Sequence, residues 1–144
     1  ITHHTDHAVL TLMSLDSVID RDFMAVEPDT ELGQIVHKIS RSRTDMLPVL
    51  DAAGSLLGEI DIRRIRHVVF RIELYHHFSA SQLMVQPPAV LNDAQSMTEV
   101  MQTFDKTGAD WLPVLDSEQH LKGYISRQRM YTMYRKMVAD MSQE

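Results

Sequence analysis

The pentapeptide LPVLD occurs twice, at Leu47–Asp51 and at Leu112–Asp116. The same 65-residue offset pairs Gly58 with Gly123 and Ile60 with Ile125, and further upstream Leu32 with Met97, Ile35 with Val100, Val36 with Met101 and Ile39 with Phe104. At an offset of 64, Ala25-Val26 meets Ala89-Val90 and Asp29 meets Asp93. Self-similarity at a fixed period marks a repeated supersecondary unit. The chain therefore reads as repeat 1 over 17–70, a linker over 71–78 and repeat 2 over 79–144 with a C-terminal helix. Residues 1–16 read as a linker or helix from an upstream domain that is not in the sequence. A unit of roughly 55 residues is marginal alone, so the two copies are expected to share one core about a pseudo-twofold axis.

Each copy predicts the order β-α-β-β-α. In copy one, MAVE is a short β run, Pro28 ends it, and Asp29 stands where a helix cap belongs. Leu32, Ile35, Val36 and Ile39 fall at i, i+3, i+4 and i+7, one apolar helical stripe, and Met97, Val100, Met101 and Phe104 repeat it behind Asp93. MLPVL and LLGEIDI flank DAAG, whose Asp and Gly favour a hairpin turn. Pro48 is expected at a strand start or edge because it has no N–H to give a ladder. Ile62, Ile65 and Val69 predict the closing helix of copy one. Met130, Met133, Met137 and Met141 predict that of copy two, with methionine serving as core filling or dimer contact.

Composition excludes several functions. Lys+Arg total 14 against 20 Asp+Glu, a formal net charge of −6, which disfavours a nucleic-acid surface. There is no cysteine, which removes disulfides, zinc-thiolate sites and cysteine nucleophiles. No apolar run approaches the length of a membrane helix, and no signal segment opens the chain. Five scattered glycines make no Walker-type loop, and no nucleophile elbow or metal-ligand motif is present, so catalytic and metal residues are expected to be none. His3, His4 and His7 with Asp6, and the adjacent His76-His77, read as solvated side chains rather than a metal site.

The β-α-β-β-α order, the LPVLD strand, and a glycine followed by EIDIRR in one copy and YISRQR in the other resemble the paired cystathionine-β-synthase-type (CBS) domains. The resemblance covers about residues 8 to 141 and implies an α+β fold of two pseudo-symmetric repeats, a Bateman module. The segments AVLTLMSLDSVIDRDFMAV, FRIELYHHFSASQLM, MQTFDKTGADWLPVLD and YRKMVADMSQE also look like the cytoplasmic C-terminal CBS pair of bacterial chloride channels and chloride/proton exchangers of the CLC family. That likeness implies a non-catalytic regulatory homodimer on the cytoplasmic face of the cell membrane, attached to an upstream transmembrane domain of the same chain. The alternatives are a nucleotide-sensing module of another transporter or soluble enzyme, and a purely structural dimerisation module.

CBS pairs often bind adenosine nucleotides through a glycine, two further positions, Thr or Ser, two more, then Asp; the hydroxyl meets phosphate and the acid holds the ribose. By that resemblance the expected ligand is ATP, ADP or AMP, with no required cofactor. Copy two keeps the hydroxyl at Ser126 but has Arg129 at the acid position. Copy one has Asp61 at the hydroxyl position and Arg64 at the acid position, and Asp61 would repel phosphate unless a cation intervened. Copy two is the better candidate, because Ser126 opens the last helix and Arg127 or Arg129 could add a charge-assisted contact. Ser126 equally suits a simple helix cap with both arginines in water. Trp111 could line a cleft against adenine or serve as packing.

Overall fold

The computed structural model describes residues 8–142, an α+β chain. In order the elements are α1 (8–12), α2 (Leu15–Val18), β1 (Ile19–Asp20), α3 (Leu32–Ile39), β2 (Met46–Leu50), β3 (Leu56–Asp61) and α4 (Arg66–Val69). A 3-10 turn (Ile72–Leu74) follows, then α5 (Ala80–Leu83), β4 (Leu91–Asn92), α6 (Met97–Thr107), β5 (Trp111–Leu115), β6 (Leu121–Ser126) and α7 (Arg127–Ser142).

These elements form two compact units whose boundaries cross the sequence repeats. One unit comprises Asp22–Pro87 with Gln119–Leu121; the other comprises the residues up to Arg21, Pro88–Glu118 and Lys122 onward. Each has its own apolar cluster. Val26, Leu32, Ile35, Leu47, Val49 and Ile60 lie at the centre of the first, while Leu91, Val100, Phe104, Leu112, Val114 and Ile125 lie at the centre of the second. The expected single shared core is thus two cores.

The physical reason is an exchange of short edge segments. In the second unit the sheet order is β1-β6-β5-β4, with Ile19 opposite Ile125 and Asp20 opposite Tyr124, antiparallel. The counterpart in the first unit is Val85, which exchanges both backbone hydrogen bonds with Glu59 of β3 (2.9 and 2.8 Å). Helices α2 and α5, which lead into these edges, are themselves equivalent at the 65-residue offset. So repeat 1 supplies the edge strand for the β4-β5-β6 sheet, and the opening of repeat 2 supplies the edge for β2-β3. Each edge completes a sheet that a single repeat leaves open, which is how units this small acquire enough buried surface.

The glycines of the two hairpins make these approaches feasible. A Cβ on Gly123 would lie 2.5 Å from the Asp20 carbonyl oxygen and 2.6 Å from Ile19 Cγ2, so only glycine lets β1 seat on β6. A Cβ on Gly58 would meet only the Met84 side chain, at 2.8 Å from Sδ.

The hairpins form as the sequence predicts. β2 and β3 pair antiparallel around DAAG, Asp51 Oδ1 accepts from the N–H groups of Ala53 and Ser55 (2.9 Å each), and Gly54 adopts φ of 87°. Gln119, the counterpart of Gly54 at the 65-residue offset, takes the same left-handed conformation with φ of 68°.

Two local expectations fail. Asp29 caps nothing: α3 starts three residues later behind Glu31, and in copy two Ser96 Oγ accepts from Glu99 N–H at the start of α6. Asp93 instead faces Lys122, whose Nζ lies 3.3 Å from Asp93 and 2.9 Å from Asp16. The ammonium between them holds the Asp16 carboxyl below its ordinary range, first by hydrogen bonding and then by charge, while Asp16 raises the Lys122 pKa. Pro48 is not at a strand start or edge but third of five residues in β2, buried between β3 and the Val26 bridge. It is tolerated because the bridge asks only for its carbonyl, which accepts from Val26 N–H at 3.0 Å, while the N–H is supplied by Leu50.

The methionine stripe of α7 is core packing. Met130 is fully buried and Met133, Met137 and Met141 lie against the same cluster. No helix among the described residues is long and apolar enough to cross a membrane.

Candidate functional site

The candidate residues fall at equivalent strand-to-helix junctions, one in each unit. In copy two, β6 runs into α7 at Ser126-Arg127. Arg127 N–H donates to the Asp110 carbonyl at 2.9 Å, which sets Trp111, the half-buried first residue of β5, beside the junction. Copy one repeats the bond with Ile62 N–H donating to the Asp45 carbonyl, also at 2.9 Å.

Ser126 caps α7: its Oγ accepts from Arg129 N–H at 3.2 Å. With Arg127 N–H given to Asp110, two of the first three helical N–H groups are already engaged, which reduces what the helix start can offer an anion. The Ser126 hydroxyl proton and the exposed Arg129 side chain remain for a ligand. Arg127 turns the other way along the helix. Its guanidinium lies 5.7 Å above the Tyr131 ring and 3.7 Å from Asp105, and Asp105 also accepts from the Tyr131 hydroxyl at 2.9 Å. Burial, followed by that hydrogen bond, raises the Tyr131 pKa.

In copy one Asp61 occupies the capping position, and a cation does intervene. Asp61 Oδ1 accepts from Arg63 N–H (3.0 Å) and Nε (3.2 Å), and Oδ2 from Nη2 (3.3 Å). This forked pair offsets the acid from within the loop, and the motif comparison missed Arg63 because it falls at a position the family pattern leaves variable. Arg64 is exposed, and its side chain has no ion pair among the described residues.

A well-formed cleft lies elsewhere on the described surface. A cleft of about 740 Å³ lies between the segment Ala25–Glu27 and helix α3, lined also by Thr30, Lys38 and Asp51. None of the six sequence candidates lines it. Lys38 Nζ donates to the Ala25 carbonyl at 2.9 Å and Glu27 N–H donates to Thr30 Oγ1 at 3.1 Å, so the outward backbone of this edge is already partnered. A hollow of about 370 Å³ in the other unit is lined by Met13, Leu15, Ser96 and Met97, again without a candidate residue.

His3, His4, His7 and Asp6 lie outside the described residues. His76 pairs with Glu31 (3.1 Å), and the described residues contain no group of three or more potential metal ligands.

Two similar α+β units, each with a hairpin whose second strand carries a glycine and runs into a helix, and each completed by an edge from the other repeat, define a tandem two-repeat module. The chain belongs to the CBS domain family, whose model matches residues 15–71 and 80–133. It is 25% identical over 120 residues to a CBS domain-containing protein of Dictyostelium discoideum, covering 76% of this chain and 83% of that protein. It is also 25% identical over 114 residues to the glycine betaine/carnitine/choline transport ATP-binding protein of Bacillus subtilis, covering 78% of this chain but only 28% of that protein. Among solved structures, CbpB in complex with c-di-AMP superposes with a TM-score of 0.76 at 15% identity, covering 99% and 97% of the two chains. CBSX2 in complex with AMP superposes at 0.69 with 17% identity, covering 86% and 97%.

Proposed function

We propose that this CBS pair is the cytoplasmic regulatory module of a CLC-type chloride channel or chloride/proton exchanger, dimerising beneath a transmembrane domain of the same polypeptide and biasing its gating. The carrier assignment rests on the likeness of the inter-repeat and terminal segments quoted above. An adenine nucleotide is the proposed ligand, at the β6-α7 junction. The observation that carries this is the asymmetry between junctions: Ser126 keeps a hydroxyl proton beside exposed Arg129, while Asp61 fills the equivalent place with a carboxylate locked to Arg63. The adenine nucleotides bound in CbpB and CBSX2 support the ligand class. A ligand preferring one arrangement of the module would bias gating by a coupling of about 1–3 kcal/mol.

The test is thermal melting with ATP, ADP, AMP and no ligand, with and without magnesium, followed by calorimetry on Ser126→Ala. At a hundred times the dissociation constant a ligand contributes about 2.7 kcal/mol, a rise of several degrees for a chain of this size. A shift that Ser126→Ala abolishes supports the copy-two site. No shift at millimolar nucleotide favours a purely structural dimerisation module. The Bacillus subtilis relative favours a second carrier, an ATP-driven solute transporter; sequence upstream of Ile1 with long apolar helices in the same polypeptide would exclude an ATP-binding subunit.

A further inference from the structure

We infer that the segment from Arg64 to Ile72 is a docking surface for an anionic lipid bilayer. Phe70 and Ile72 are the most exposed large apolar side chains among the described residues, at 86% and 73%. They are held outward by their neighbours: Ile65 and Val68 are buried, anchoring the short helix α4 from the opposite side. Arg66, one helical turn before Phe70, shares its exposed face, with His67 beside it.

The residues around this pair are basic in an acidic chain. Four of the 14 basic residues fall within 63–71, in a chain whose net charge is −6. The nearby acids are spent: Asp61 is paired with Arg63 and Glu73 with Arg71. Arg64 and Arg66 are exposed and have no carboxylate partner among the described ion pairs, so the segment carries two unpaired positive charges ahead of two protruding apolar side chains.

Size decides which occupant this fits. A stable protein interface needs about 800 Å² and some 20–30 residues from each partner, with a contiguous apolar centre. Two side chains separated by Arg71 do not supply that. They do suit shallow insertion, in which Phe70 and Ile72 enter the headgroup boundary while Arg64 and Arg66 meet lipid phosphate. Such binding is weak, reversible and released by salt. The inference rests on this patch and is independent of the nucleotide site and of which carrier the module serves.

The test is co-sedimentation of this chain with vesicles of phosphatidylcholine alone and of phosphatidylcholine mixed with phosphatidylserine, at low and high salt. Binding is expected only to the mixed vesicles and only at low salt. Arg64→Gln and Arg66→Gln should each weaken it about fivefold, and Phe70→Ser about tenfold, with unchanged melting because these side chains are exposed. No binding to mixed vesicles, or binding that the double arginine variant leaves intact, overturns the proposal. So does sedimentation equilibrium showing self-association that Phe70→Ser abolishes, which would assign the patch to a second copy instead.

Discussion

Replacing Gly123 with alanine tests the fold at the point where it departs most from its own sequence repeat. The added methyl would lie 2.5 Å from the Asp20 carbonyl oxygen, a backbone atom, and 2.6 Å from Ile19 Cγ2. Neither can turn aside without lifting β1 from β6, and Ile19 and Val18 are buried behind that contact. Overpacking costs about 1–3 kcal/mol, and a backbone obstacle places this case near 3. Unfolding entropy of roughly 2 cal/mol/K per residue makes that a fall of about 10 °C in Tm for a chain of 144 residues. Gly58→Ala at the equivalent place meets only Met84, a flexible side chain that can change rotamer, and should cost about 1 kcal/mol, or some 3 °C. Differential scanning calorimetry of both variants measures the contrast. Equal losses, or a Gly123→Ala chain as stable as its parent, would refute the seating of β1 on β6 by glycine.

Other outcomes follow from the same geometry. Gln119→Gly should leave stability unchanged or raise it by up to about 1 kcal/mol by relieving a left-handed residue, whereas Gly54→Ala should lower it by a similar amount; thermal melts compare them. Lys122→Met should flatten the acid limb of the stability curve: Asp16 has a lowered pKa when folded, so its contribution is present above its ordinary carboxylate range and is lost as pH falls below about 4. Urea titrations from pH 6 down to 3 would show the difference. Ser126→Ala should cost about 1 kcal/mol without any nucleotide, by loss of the α7 cap, so ligand effects must be read against that baseline. Residues 1–78 and 79–144 expressed apart should each remain largely unfolded by circular dichroism, since each lacks the edge segment that the other supplies.

Regular elements were legible because their signals are repeated. The stripe from Leu32 to Ile39 and its counterpart from Met97 to Phe104 carry helical spacing, and DAAG carries turn chemistry; both became the expected structures. The α7 methionines packed as their spacing implied. The exchange of edges was not legible, because β1 has two residues and the Val85 edge is a single bridge, too short for any pattern. Its trace was the match of α2 with α5 at the same offset, which begins two residues before the predicted start of repeat 1. The caps misled because Asp29 and Asp93 lie within a turn, and the helices begin only after it. At the candidate junctions, the Asp61-Arg63 pair is a two-residue contact that a motif comparison passes over, and the cleft beside Ala25 arises from residues with no shared motif.

The exchanged edges also impose an order on synthesis. Val85 finds Glu59 only 26 residues behind it, so nearly all of the first unit can close within about 1–5 s of translation at 5–20 residues per second. Ile19 and Asp20 must wait for Tyr124 and Ile125, 104 residues after Asp20, or roughly 5–20 s. Through that interval β1, the first strand among the described residues, has no partner, and it is the last of them to be paired. A nascent chain stalled between the two events would carry one nearly finished unit and an unpaired β1, a species for chaperones to recognise and a point at which two nascent chains could take each other's edges.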